Sequence, residues 1–160
     1  MIKTNAARIL DRYNINYELH DYEVDEADLS AMAVAEKLNQ EIDQVFKTLV
    51  LRGDKSGIFV CIIPGAEELD LKKAAYLSGN KSVAMVQVKE IFDLTGYIRG
   101  GCSPIGMKKN YPTFIDESCI LYDAVFVSAG KRGLQLKIAP EDLIRVTSGI
   151  TGDLIAITNR

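Results

Sequence analysis

One lysine sits where a lysine is unfavourable. In Val45-Phe46-Lys47-Thr48-Leu49-Val50-Leu51, strand alternation puts Lys47 on the same face as Val45, Leu49 and Leu51. Burying an ammonium among aliphatic groups lowers its pKa and costs free energy unless it finds a partner or reaches water. Either the head snorkels to solvent from a strand end, or it is a cation held at the mouth of a pocket. A second unusual stretch runs from Gly96 to Gly106, Gly-Tyr-Ile-Arg-Gly-Gly-Cys-Ser-Pro-Ile-Gly, with four glycines and a proline. Such a backbone reaches positive φ and can offer several amides to a ligand, or it is simply a structural loop.

Familiar catalytic patterns do not fit these residues. The stretch from Gly96 nearly spells a phosphate-binding loop, but Cys102 stands where the phosphate lysine must be. Gly101-Cys102-Ser103-Pro104-Ile105 is not a nucleophile elbow: its fifth residue is not glycine, and Pro104 has no N–H to serve as an oxyanion donor. Cys102 could be a nucleophile only with an activating base, and His20 is the one histidine in the chain. His20, in Leu19-His20-Asp21-Tyr22, reads better as a structural or surface residue. Cys61, inside Phe59-Val60-Cys61-Ile62-Ile63, reads as core. Three widely spaced cysteines without C-x-x-C support neither a disulfide framework nor a thiolate zinc site. No metal and no cofactor are expected.

The 160 residues are 48% apolar and 26% charged, the balance of one globular domain spanning 1–160. Net charge is −3, which disfavours broad nucleic-acid binding. The distribution is uneven. Residues 18–43 carry nine carboxylates against Lys37, whereas residues 97–137 carry six cations against three carboxylates. The doublets Lys108-Lys109 and Lys131-Arg132 flank glycine-rich turns, as solvated turns or as phosphate contacts. The longest strongly apolar run, Ile58 to Ile63, is far below the ~20 residues of a spanning helix. Residues 1–13 lack the apolar segment of a signal peptide. A cytoplasmic protein is expected.

The elements that must position these groups follow from periodicity. Helices are expected over Thr4–Tyr13, Ser30–Leu38, Leu69–Leu77, Val88–Leu94 and from Pro140 to Val146. Strands are expected at Tyr17–Tyr22, Val83–Val86, Thr113–Asp116, Ala124–Ser128, Leu134–Ile138 and, as an edge, Leu154–Ile157. Val45–Arg52 and Ile58–Ile63 form a hairpin about Gly53–Gly57, and Ala129–Gly133 turns between two later strands. Hairpins mixed with helices, without regular βαβ alternation, point to an α/β fold with a mixed, curved sheet.

In order along the chain, several of these segments resemble one family. They are Asp43-Gln44-Val45-Phe46-Lys47-Thr48-Leu49, Leu69-Asp70-Leu71-Lys72-Lys73, Gly96-Tyr97, Gly100 through Lys109, Pro112-Thr113, and Ser128 with Gly130-Lys131-Arg132-Gly133-Leu134. Together they resemble the YbaK-type Cys-tRNA(Pro) deacylases among the prolyl-tRNA-synthetase-associated editing domains. The resemblance implies a partly barrel-like mixed sheet with surrounding helices and a small pocket for the 3′-aminoacyl end of tRNA. It places the essential lysine at Lys47 and the pocket-lining glycine at Gly100, with Tyr22, Thr48, Gly101, Ser103, Gly130 and Gln135 binding substrate. Gln135 stands where the family often has Asp, so an amide could hydrogen-bond substrate there but a carboxylate role does not carry over. Cys102 replaces a common β-branched residue.

The implied reaction is removal of cysteine from Cys-tRNA(Pro), with Cys-tRNA(Cys) as a further candidate, by attack of the substrate's own thiolate, with a cyclic thioester leaving. Backbone amides near Gly100 and Gly101 would hold the oxyanion. The alternatives are a deacylase for Ala-tRNA(Pro) or another small aminoacyl ester, and a non-catalytic tRNA- or protein-binding regulator. Prolyl-tRNA synthetase is the implied transient partner.

Overall fold

A computed structural model describes residues 3–157. Helix α1 (Asn5–Arg12) starts where the Thr4 side chain accepts from the Ala7 amide, and it buries Ala6, Ala7 and Leu10. Strand β1 (Tyr17–Asp21) leads to α2 (Ala31–Leu38), capped by Ser30 and closed by Asn39 in the left-handed region. Strands β2 (Phe46–Gly53) and β3 (Gly57–Pro64) form the expected antiparallel hairpin, with Gly53 opposite Gly57. Asp70, whose carboxylate accepts from the Lys72 and Lys73 amides, starts α3 (Leu71–Ser78), two residues later than periodicity suggests. Strand β4 (Val83–Met85) precedes a 3-10 turn, Val88–Glu90, that runs into α4 (Ile91–Thr95). After the glycine loop come β5 (Thr113–Asp116), β6 (Val125–Lys131), β7 (Leu134–Ile138), α5 (Pro140–Thr147) and β8 (Ile150–Gly152). No described helix is long and apolar enough to cross a membrane.

The strands make two sheets rather than one. β1-β7-β6 is antiparallel, and β4-β2-β3-β5-β8 is mixed, with β3/β5 and β5/β8 parallel. They meet at a parallel bridge from Val45 to Phe126, and no ladder among the described residues closes them into a barrel. Alternation sorts the small sheet. Val125, Val127 and Ala129 of β6, with Leu134, Leu136 and Ile138 of β7, join α1 in the main core. Phe126 points the other way, into a cluster with Val34, Ala35 and Val45. Ser128 and Gln135, paired across β6 and β7, have the parity of Phe126 and leave the main core for a polar cleft.

Beyond shifts of a residue or two at element ends, two regions differ from expectation. β6 runs through Ala129-Gly130 to Lys131 because a bulge between Ser128 and Lys131 absorbs the extra residues. Leu154–Ile157 is not a strand. The Leu154 side chain is fully buried and its amide donates to the Asp116 carboxylate at 3.0 Å, so only Ile155 makes a lone bridge, to Leu69. The edge strand is β8 instead.

Candidate active site

Six pieces of chain converge on a cavity of about 330 Å³. They are the approach to α2 (Leu29, Ser30, Ala31, Val34), the beginning of β2 (Val45 to Leu49) with Gly65, the glycine loop (Arg99, Gly100, Cys102), Ser128 of β6 and Gln135 of β7. Lys47 lies in its wall, half-buried. Loss of water pushes its pKa down, while the carboxylates of Glu67 and Glu68 pull it back up. No ion pair or hydrogen bond among the described residues engages its ammonium. Beside it, the Thr48 hydroxyl and the Gln135 amide oxygen are buried with no hydrogen-bond partner. Gln135 is only 5% exposed. An unpaired buried polar atom costs about 1–3 kcal/mol, so two of them lining one cavity with an unpaired cation make it the candidate site for a polar ligand.

The glycine loop supplies backbone donors. Gly100 has φ of 83°, and a Cβ there would lie 3.2 Å from both Leu29 and Arg132. Its N–H and that of Cys102 have no partner among the described residues. The loop is rigidly framed. The Tyr97 hydroxyl donates to the Ile105 carbonyl at 2.7 Å, and burial pushes that hydroxyl's pKa up to about 12. The Cys102 thiol is pushed up to about 11 by burial, and its hydrogen-bond partner is the Thr95 hydroxyl at 3.9 Å. It is therefore a protonated, poor nucleophile. His20 packs edge-on against Phe126, bonds Glu18 at 3.0 Å and is absent from the cavity wall.

Of the residues singled out by sequence, Lys47, Thr48, Gly100 and Gln135 meet in the cavity. Tyr22 is absent from the cavity wall and packs against the cluster of Val34, Ala35, Val45 and Phe126. Gly101 belongs to the turn: its N–H donates to the Ile98 carbonyl at 2.9 Å, so it is not an available oxyanion donor, and a Cβ would strike the Lys131–Arg132 backbone. Ser103 is fully buried, with Oγ accepting from the Ile105 amide at 3.2 Å. Gly130, at φ of 109°, makes room for the Tyr97 ring 2.9 Å from where its Cβ would stand. Ser103 and Gly130 thus shape the loop from outside the cavity. Sequence reasoning missed the wall from Leu29 to Val34, because nothing local tells a helix start which sheet it will face.

A larger cavity of about 840 Å³ lies between α1, the chain from Pro104 to Thr113 and the end of α5. It contains none of the orphaned polar atoms and none of the residues in question, so size alone does not make it the site.

The fold is that of an editing domain, and the model for the aminoacyl-tRNA editing domain matches residues 26–146. The chain belongs to that family of aminoacyl-tRNA deacylases. EbsC of Enterococcus faecalis, which is named for the deacylation of Cys-tRNA(Pro) and Cys-tRNA(Cys), is 50% identical over 92% of this chain and 90% of its own. The uncharacterized YwhH of Bacillus subtilis is 24% identical over 82% of each chain. A crystal structure described as a trans-editing enzyme for prolyl-tRNA synthetase superposes with a TM-score of 0.82, is 25% identical, and is covered completely by 98% of this chain. A hypothetical protein at 20% identity and a TM-score of 0.87 shares the fold.

Proposed function

We propose that this protein removes cysteine from mischarged tRNA, chiefly Cys-tRNA(Pro), with Cys-tRNA(Cys) as a second substrate, by letting the substrate's thiolate do the attack. The observation that carries the reading is the convergence on one cavity of Lys47, Thr48 and Gln135 with Gly100 and Cys102, two residues whose amides have no partner among the described residues. No protein nucleophile in that cavity is activated: Cys102 is held protonated, and Ser128 Oγ accepts from the Gly130 amide at 3.2 Å. The ester is already activated, so the protein has only to orient it and stabilise charge.

The substrate sulfur attacks the ester carbonyl carbon, the carbonyl electrons move to oxygen, and the oxyanion rests against the Gly100 and Cys102 N–H groups. Collapse expels the ribose oxygen, which takes a proton, leaving a cyclic thioester and free tRNA. Lys47 stabilises the thiolate and then the oxyanion by charge. Thr48 and Gln135 hydrogen-bond the amino-acid end. Tyr22, Ser103, Gly101 and Gly130 serve binding by holding the wall and loop in shape. The protein works as one domain in the cytoplasm, with two sheets that flank the site as an incomplete barrel. It takes its tRNA preference from a transient complex with prolyl-tRNA synthetase.

The test is a single-turnover panel at saturating enzyme with Cys-, Ser-, Ala- and Pro-tRNA(Pro) and Cys-tRNA(Cys). Serine and cysteine differ little in size and shape alone separates such isosteres poorly, but a thiol is a few per cent thiolate near pH 7 and a hydroxyl is not. The expected result is comparable binding of Cys- and Ser-tRNA(Pro), fast release only from the cysteinyl ester, and recovery of a thioester-derived product. Equal rates for Cys-, Ser- and Ala-tRNA(Pro) would replace this mechanism with hydrolysis by water.

A further inference from the structure

The peptide that carries the Gly100 N–H is held from its other end. Arg132 Nε donates to the Arg99 carbonyl at 2.8 Å, and Nη1 of the same guanidinium reaches the Glu26 carboxylate at 2.7 Å. The Arg99 carbonyl and the Gly100 N–H belong to one trans peptide unit, so they point in opposite directions. That unit is the middle of a β-turn, closed by the Gly101 N–H on the Ile98 carbonyl. With φ of 83° at its third position, the turn has the type II form. Turning over the central plane alone converts type II to type I and leaves the turn's ends in place. Glycine is open to both forms. The flip would exchange an N–H for a carbonyl on the cavity side, replacing attraction for an oxyanion by repulsion.

We propose that Arg132 is a positioning residue: its guanidinium locks the Arg99–Gly100 peptide in the orientation that presents the Gly100 N–H to the reacting carbonyl. This rests on the oxyanion role proposed above for Gly100. Three features fit the lock. The Arg132 side chain is 29% exposed and lies against Gly100, where a Cβ would stand 3.2 Å from Nε. Arg132 is absent from the cavity wall that Gly100 lines, so it acts from the carbonyl side. Glu26 holds the second arm of the fork, tying the acidic segment before α2 to the loop. A charged donor on a carbonyl is roughly twice as strong as a neutral one, and polarising that carbonyl strengthens the N–H of the same peptide. Lysine offers a point charge without the planar fork.

The test compares wild type with R132Q, R132K and E26Q. The ¹³C shift of the Arg99 carbonyl and the orientation of the Gly100 N–H, from residual dipolar couplings, are measured without substrate. Single-turnover deacylation of Cys-tRNA(Pro) follows. R132Q is expected to move both NMR signatures and slow the saturated rate by about 10- to 100-fold, near the effect of losing one oxyanion donor, with KM changed less than about threefold. R132K falls between, and E26Q, which keeps the Nε bond, loses less than R132K. Unmoved Arg99 and Gly100 signals in folded R132Q overturn the lock. Moved signals with an unchanged rate overturn its role in positioning, and R132K decides alone should R132Q not fold. A wild type that deacylates no tRNA defeats the proposed function, while the NMR measurement still decides whether Arg132 sets the peptide plane.

Discussion

Replacing Lys47 by methionine removes the charge and keeps the apolar stem, which separates chemistry from packing. A positive charge about 4 Å from a developing oxyanion, at an effective dielectric near 20, is worth about 4 kcal/mol. That is about a thousandfold in rate. K47M should therefore slow single-turnover release of cysteine by about 10²–10³, allowing for partial solvent screening. Stability should move the other way at neutral pH, because the ammonium is half-buried and unpaired and burial lowers its pKa from 10.5. With the folded-state pKa below the unfolded one, the folded protein binds fewer protons between the two values, so wild-type stability rises with pH across that interval. K47M lacks that rise, so wild type gains on the variant as pH climbs toward 10.5. The rate profile should be bell-shaped, with a rising limb from the substrate thiol and a falling limb as Lys47 loses its proton. K47M should keep the rising limb and lose the falling one. A folded K47M within tenfold of wild type, or one with both limbs intact, would refute the electrostatic role.

Other side chains test the division of labour. C102S should stay within about threefold of wild type and H20A should match it, since neither thiol nor imidazole is poised to attack; trapping an acyl-Cys102 species by mass spectrometry would overturn this. T48V and Q135L each remove a buried, partnerless polar atom, so in denaturant unfolding both should leave stability unchanged or raise it by up to about 1 kcal/mol. The same variants should raise KM severalfold, and unchanged KM in both would take these atoms out of substrate binding. G100A should lose about 1–2 kcal/mol in denaturant unfolding, because its φ of 83° is strained for alanine; unchanged stability would mean the loop relaxes freely.

Much of this protein is legible along the chain because the signals are local. Thr4 and Ser30 mark helix starts through their own backbone neighbours, and Gly53–Gly57 closes a hairpin of adjacent strands. Lys47 in an apolar stripe and the glycine run from Gly96 to Gly106 flag chemistry by residue type alone, whereas Gln135 enters only through the family resemblance. What the chain does not reveal is which of these groups face one another. Lys47 and Gln135 are 88 positions apart, and they meet because the small sheet packs the Phe126 face against α2 and the start of β2. The roles of the two loop glycines separate for the same reason. Gly100 and Gly101 are neighbours of one type, but the turn closes through the Gly101 amide and leaves that of Gly100 open. Side-chain identity and period are properties of a few adjacent residues, whereas the partner of an amide, a hydroxyl or a guanidinium is set by packing between distant segments, which only the tertiary structure decides.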